Sequence, residues 1–346
     1  MDLRSKQKQN SSSQKTWDEH GKDAKQLVLI DGHSVLFRAF HAYPTLTTSK
    51  GELINAVYGF TNILLTVIQE LNPTHIAVSF DRAAPTFRHK EYKGYKAHRP
   101  EAPEELVNQQ DRVEEVVSIL NIPIFAEEGY EADDVIGTLV KQACKFEIPS
   151  NSAAPKVGQA GRRNSKFEII IVTSDRDALQ LVDDRRVFVY TPGRGKQRAQ
   201  LWDADAVVEK YGLQPAQFIS FKALAGDQSD EIPGVRGIGP KTATLLLQAF
   251  GDLDGVYAHS EDVKKRFGEV VARRLSEGKE SADLSRRLAT IVTDVPITLS
   301  LTACVVNDYD KAKVVEKFKE LEFHSLIPKL PNDPFEQMVQ EEIFNQ

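Results

Sequence analysis

Two cysteines in 346 residues leave little sulfur chemistry to consider. Cys144 and Cys304 stand far apart, form no metal-spaced pair and suggest no disulfide framework, so each reads as a small buried apolar residue. No apolar run approaches the roughly 18 residues that mark a membrane-spanning helix. The amino-terminal stretch also lacks the apolar core of a signal peptide. The expectation is an intracellular, cytoplasmic protein with no membrane partner. An excess of positive charge is missing too, since 44 Lys and Arg against 50 Asp and Glu give a net charge of −6. Taken alone, that sum disfavours a nucleic-acid partner. It says nothing about distribution, however, and acids pooled in one site while bases line a surface are compatible with nucleic-acid binding. His33, His41, His89 and His98 lack metal-ligand spacing and are assigned no catalytic role.

The chain is long enough for a large core and, by length, for two domains. Its 41% hydrophobic and 27% charged residues describe an ordinary globular protein. What stands out is Gly129-Tyr130-Glu131-Ala132-Asp133-Asp134, three carboxylates opening an apolar helical run. One or two acids in a first helical turn are explained by free backbone N–H groups and the helix dipole. Three so close repel one another, which points to a cation.

Residues 1–25 are polar and without hydrophobic period and read as a disordered tail. Gln26 to Ile30 is a continuous apolar run closed by Asp31-Gly32, the pattern of a buried parallel strand. A helix is expected over 55–71, then a strand over 75–80 that delivers Asp81. Further helices are expected over 104–120, 262–292 and 311–323, and a short strand over 122–125. The strand at 167–173 delivers Ser174-Asp175-Arg176-Asp177, and 187–190 with 200–202 suggest an edge hairpin. Residues 149–164 carry no period and read as a surface insertion. Strands alternating with helices make residues 26–203 an α/β unit with a mainly parallel sheet. Residues 204–330 are a helical unit, and 331–346 a tail. Asp31, Asp81 and Asp175 all fall at carboxyl ends of strands, where ligands of such sheets bind.

Nine acids thus form one candidate constellation: Asp31, Asp81, Glu131, Asp133, Asp134, Asp175, Asp177, Asp227 and Asp230. An all-oxygen donor set suits Mg²⁺ or Mn²⁺ rather than zinc. Two such ions activate a water and stabilise the leaving oxygen of a phosphodiester. Between residues 82 and 99, six Lys and Arg against one acid are interleaved with Phe87, Tyr92 and Tyr95. That composition suits single-stranded nucleic acid, with bases on rings and phosphates on cations, and makes Arg88, Lys93 and Tyr95 candidate contacts. Lys96 and Arg99, close behind Asp81, are candidates to stabilise charge on a scissile phosphate. Gly237-Ile238-Gly239-Pro240-Lys241-Thr242 reads as a hairpin between helices. Its backbone N–H groups and following helix terminus can grip a phosphate without reading sequence.

LIDGHSVLFRAF, FDRAAPTFRHKEYKGYKAHRP, GYEADDVIGTL, IVTSDRDALQLV and GDQSDEIPGVRGIGPKTATLLL occur in that order. Together they resemble the 5′→3′ exonuclease domain of bacterial DNA polymerase I, within the flap endonuclease superfamily, over about residues 26–330. The resemblance implies a PIN-like α/β core followed by a helical unit with a helix-hairpin-helix. It implies a bacterial, cytoplasmic, monomeric nuclease acting in replication and repair on DNA with a 5′ flap, nick or 5′ end. A polymerase would work with it in cis or in trans. It further implies two divalent ions held by the nine acids, a helical arch near residues 82–100 carrying Lys96 and Arg99, and Phe37 and Arg38 near the substrate end. A duplex grip from Gly237, Ile238, Gly239, Lys241 and Thr242 is also implied, with K⁺ as a secondary ligand of that hairpin.

The chain departs from the family pattern at Glu231, where Asn usually follows the second Asp of the GDxSD stretch; an extra carboxylate there bears on the ion site. It is expected to be a stand-alone nuclease or the leading part of a longer polymerase. A PIN-type RNA endonuclease would not need residues 226–243, and a DNA-binding relative without catalysis would be expected to have lost acids that are all present here. Asp134→Ala is expected to abolish cleavage while leaving flap binding intact.

Overall fold

A computed structural model of the chain describes residues 25–146, 167–183, 186–193, 197–306 and 308–332, together with residue 336. The insertion expected at 149–164, and the tails expected at 1–25 and 331–346 but for a few residues, lie outside them. Six strands form one sheet: β1 (Gln26–Asp31), β2 (His75–Ser79), β3 (Ile124–Phe125), β4 (Glu168–Val172), β5 (Val187–Thr191) and β6 (Gln200–Trp202). Their order is β3-β2-β1-β4-β5-β6, all parallel except the last pair, which is the expected edge hairpin. β1 is buried along its whole length because both its faces are covered. Val28 and Ile30 point into one core and Leu27 and Leu29 into the other.

Helices α1 (Gly32–Ala42), α2 (Asn55–Leu71) and α4 (Glu104–Ile119) cover the first face, with the short α3 (Phe87–Glu91) between α2 and α4 in the chain. Val35, Phe60, Leu64, Val113 and Val117 meet β1 and β2 there. α5 (Ala132–Ala143) covers the second face with Val135, Ile136 and Leu139. The helical unit follows as α6 (Ala204–Tyr211), α7 (Phe218–Ala225), α8 (Pro240–Phe250), α9 (Leu253–Ala258), α10 (Ser260–Phe267), α11 (Glu269–Glu277) and α12 (Lys279–Ala289). Leu224, Ala243, Leu246 and Leu247 belong to the same core as Leu27 and Val135, so the helical unit is packed onto the sheet rather than hung from it.

Two expectations are corrected. The helix expected over 262–292 is three helices, because Gly268 takes φ +91° and ends α10 while Gly278 separates α11 from α12. A left-handed residue stops a helix, and glycine adopts that conformation at no Cβ cost. The helical unit also does not run to residue 330. Val305 bridges His75, the Val306 amide donates to the Thr74 carbonyl, and α13 (Lys311–Glu320) returns to the first core with Val314, Phe318 and Phe323.

Gly234, at φ +61°, is where the loop after α7 passes closest to itself; a Cβ there would lie 2.2 Å from the Gly226 amide nitrogen. Gly234→Ala is expected to lower stability in urea melts by more than about 2 kcal/mol. At Gly239 a Cβ meets nothing within 4 Å, and Gly239→Ala should leave the midpoint nearly unchanged.

Candidate active site

The order of strands reverses between β1 and β4, and the acids converge at that switch point. Asp31 closes β1 and caps α1, accepting from the Ser34 amide (3.0 Å) and the Thr173 hydroxyl (2.7 Å). Asp81 follows β2, and its Oδ1 accepts from the Ala132 amide at 2.6 Å, tying the end of β2 to the start of α5. Asp175 follows β4 and is exposed, and its Oδ1 accepts from the Asp177 amide at 2.8 Å. Burial, with the charges of Asp81 and Asp175, pushes the Asp31 carboxyl up to about 7 against its two hydrogen bonds.

The three acids around the start of α5 divide into different roles. Asp133 faces the cluster, and burial together with Asp175, Asp31 and Asp177 holds its carboxyl well above the usual range. Glu131 is the N-cap residue of α5 and is held by Lys96 Nζ at 3.1 Å and the Tyr95 hydroxyl at 3.1 Å. Asp134 is fully buried and turns the other way. Arg88 donates to both its oxygens (2.6 and 2.8 Å), and the amides of Glu131 (3.2 Å) and Val292 (2.8 Å) complete its bonding. The expectation that Asp134 is an ion ligand is therefore corrected, because its acceptor capacity is spent inside the protein.

The helical unit brings Asp227 and Asp230 up to Asp177, which follows β4. Asp177, Asp227 and Asp230 each place one carboxylate oxygen within 4.8 Å of the others. Lys222 of α7 lies among them, paired with Asp177 and, at 2.5 Å, with Asp227. Burial raises Asp177 to about 6 against the opposing pull of Lys222. For Asp227 burial works the same way, but Lys222 and Ser229 outweigh it and hold the carboxyl low. Asp230 is raised by burial despite Lys96 and Lys222. Lys222 escaped the sequence reading. Its only signal is a lone cation in the apolar helix FISFKALA, five residues before Asp227.

Asp31, Asp81, Asp133, Asp175, Lys96 and Arg99 share one cavity of about 830 Å³. Phe37, half-exposed, and Arg38, bonded to Ser174 and the Pro192 carbonyl, also border it. The donor set fits hard divalent cations, since it is all oxygen and a cation would offset the charge that burial and neighbouring acids make costly on Asp31, Asp133 and Asp177.

The basic segment is corrected in part. Lys93 and Arg99 are exposed. Arg88 is buried on Asp134 and also donates to the Leu288 and Thr290 carbonyls, so it is not a surface contact for nucleic acid. Tyr95 is buried with Ile232, Leu288 and Ala289, and Tyr92 packs against that group. These rings anchor the segment to the helical unit instead of offering faces to bases. In the hairpin Gly237, Gly239 and Lys241 are exposed and Thr242 is partly so, whereas Ile238 is buried. Its side chain anchors the turn in the core with Val235 and Leu246, and its amide donates to the Val235 carbonyl. Glu231, expected to bear on the ion site, turns its carboxylate to His98 instead.

Two family models match the chain: a 5′-3′ exonuclease N-terminal resolvase-like domain over residues 26–151 and a 5′-3′ exonuclease C-terminal SAM fold over residues 213–312. The chain belongs to the 5′-3′ exonuclease family. Among relatives of this exonuclease family, DNA polymerase I of Chloroflexus aurantiacus is 44% identical over 313 residues, covering 88% of this chain and 31% of that protein. DNA polymerase I of Bacillus subtilis is 38% identical over 314 residues, 91% of this chain and 33% of that protein. The chain therefore spans about a third of the length of these polymerases. The fold is shared with the T5 flap endonuclease, solved as a pseudo-enzyme-product complex with DNA and metal ions (TM-score 0.57, 20% identity, 78% of this chain and 90% of that one). It is shared too with flap endonuclease-1 from Methanococcus jannaschii (TM-score 0.54, 16% identity, 86% and 87%).

Asp134→Ala takes away the two-oxygen partner of buried Arg88, leaving it two carbonyls and the Glu131 carboxylate at 3.7 Å, and the expected loss is about 3 kcal/mol of stability, read in urea melts. Loss of activity in that variant then tracks unfolding. A second expectation concerns pH. Asp31 and Asp177 hold protons more tightly folded than unfolded, so their contribution to stability falls as pH rises from the usual Asp range through about 7. In EDTA, the melting temperature should fall from about pH 5.5 to about pH 8 by less in Asp31→Asn than in the parent chain. Mg²⁺ should stabilise the parent more at the higher pH, because cation and proton compete for the same oxygens.

Proposed function

We propose that the chain hydrolyses DNA phosphodiesters at 5′ ends, flaps and nicks, as a 5′→3′ exonuclease and flap endonuclease. The observation that carries this reading is a cleft in which acids from three strand ends and α5 meet Lys96 and Arg99, with the Asp177, Asp227 and Asp230 group near enough to act on Asp133 and to feel Asp175. Asp31, Asp133, Asp175, Asp177, Asp227 and Asp230 would hold two Mg²⁺ or Mn²⁺ ions, with Asp81 and Glu131 supporting them from hydrogen-bonded positions. Such ions supply an activated water and offset charge on the leaving oxygen.

The chain's own residues do the rest. Lys96 is kept charged despite burial by Glu131 and Asp230, and its ammonium stands at the cleft where charge develops on a scissile phosphate. Arg99 and Lys93, exposed on the same segment, meet the phosphates of the 5′ strand. Phe37 offers an apolar face to the terminal base and Arg38 a charge held in place by Ser174. The exposed turn at Gly237 and Gly239, with Lys241 and Thr242, grips the duplex backbone through amides and a helix terminus. K⁺ at that turn is a secondary ligand. The partners are a flapped or nicked DNA and a polymerase, in cis or in trans, and the working form is a cytoplasmic monomer. Among the described residues no helix is long and apolar enough to cross a membrane.

The test is cleavage of end-labelled 5′-flap DNA with Mg²⁺, Mn²⁺ or EDTA beside single-stranded RNA of the same sequence. Metal-dependent cuts near the flap junction with the RNA untouched are expected; flap binding without cuts in either metal overturns the reading. Lys96→Ala should slow single-turnover cleavage by about 10²–10³-fold while changing the flap Kd far less. An unchanged rate removes Lys96 from the chemistry.

A further inference from the structure

We infer that Glu231 is a positioning residue that latches the segment carrying Lys96 and Arg99 onto the acid cluster, an inference that rests on the proposed nuclease function. Glu231 is one of five non-glycine residues at positive φ (+56°) among the described residues, and Lys96 (+52°) is another. The two turns face each other. The Lys96 amide donates to the Asp230 carbonyl at 3.2 Å, one residue before Glu231. The Glu231 carboxylate then reaches back, accepting from the His98 amide at 2.7 Å with one oxygen and meeting His98 Nδ1 with the other. His98 itself is 88% exposed, so little packing holds this end of the segment. Its far end is anchored differently, by Arg88 on Asp134 and by Glu91 on Arg287 at 2.5 Å.

Without the latch, residues 97–99 depend on short local turns and on Lys96, which is held by its backbone bond to Asp230 and its side-chain pair with Glu131. Closing them onto the helical unit orders the chain before substrate arrives, which lowers the conformational cost of bringing Lys96 to the phosphate. A left-handed position favours Asn, but Asn is one methylene shorter than Glu and reaches less far. The chain carries the longer acid at a position where its backbone conformation is unfavourable, and the contact with His98 is what that length provides.

The experiment compares Glu231→Asn, Glu231→Gln, His98→Ala and the double variant Glu231→Asn/His98→Ala. Asn keeps the left-handed backbone and shortens the reach, whereas Gln keeps the reach and the acceptor for the His98 amide. Hydrogen exchange of amides 95–99, in the metal-free protein without DNA, should speed up about tenfold or more in Glu231→Asn and stay close to the parent in Glu231→Gln. Single-turnover flap cleavage should fall several-fold in Glu231→Asn and in His98→Ala, with little change in flap Kd. The double variant should be no slower than either single one. Unchanged exchange in Glu231→Asn, or losses that multiply in the double variant, overturns the latch. A parent chain that cleaves no flap DNA but loses protection in Glu231→Asn instead refutes the proposed function and leaves the latch standing.

Discussion

Like charge held at close range is the constraint on which this molecule turns. Asp31, Asp133, Asp175, Asp177 and Asp230 crowd one another at the carboxyl edge of the sheet, and burial makes the charges of Asp31, Asp133, Asp177 and Asp230 harder to keep. The fold manages the excess with cations placed at its margins. Lys222 sits between Asp177 and Asp227, Lys96 between Glu131 and Asp230, and Arg88 neutralises Asp134 beneath them. Each of these three comes from outside the strands that deliver the acids. The centre is therefore assembled by tertiary packing even though its acids are set out by the sheet.

Arg88 shows how much depends on one such cation. Through a single guanidinium it joins α3 to the first turn of α5 and to the carbonyls of Leu288 and Thr290 at the end of α12. A hydrophobic side chain would fill the same volume without demanding the same geometry. Because all three of its nitrogens donate, the position of Asp134, and with it the orientation of Asp133 one residue away, is tied to the helical unit.

Much of this was legible in the residues. The apolar runs ending in Asp31, Asp81 and Asp175 encode strand and carboxylate position together, because a parallel strand buried on both faces must be apolar until it emerges. The hairpin at Gly237 to Thr242 was legible for a similar local reason. What was hidden depends on partners far away in sequence. Whether a first-turn Asp faces a cation site or a buried arginine is decided for Asp134 by a residue 46 positions away. Arg88 and Tyr95 had the composition of a nucleic-acid surface, yet their depth is set by Leu288 and Ala289. Lys222 carried no periodic signal at all, and α10 to α12 were merged because periodicity survives a glycine break that the backbone does not.

The return of the chain to the sheet has a mechanical consequence. The helical unit leaves the sheet at β6 and rejoins it where Val305 bridges His75 and α13 packs beside α2 and α4. Two chain connections, added to the core that the lobe shares with the sheet, keep it from pivoting freely. The span from the hairpin at Gly237 to the acids beside β1 and β4 thus behaves as a strut of set length. For a duplex held at the hairpin as proposed, a strut of set length would convert a grip that ignores sequence into a measured place along the strand.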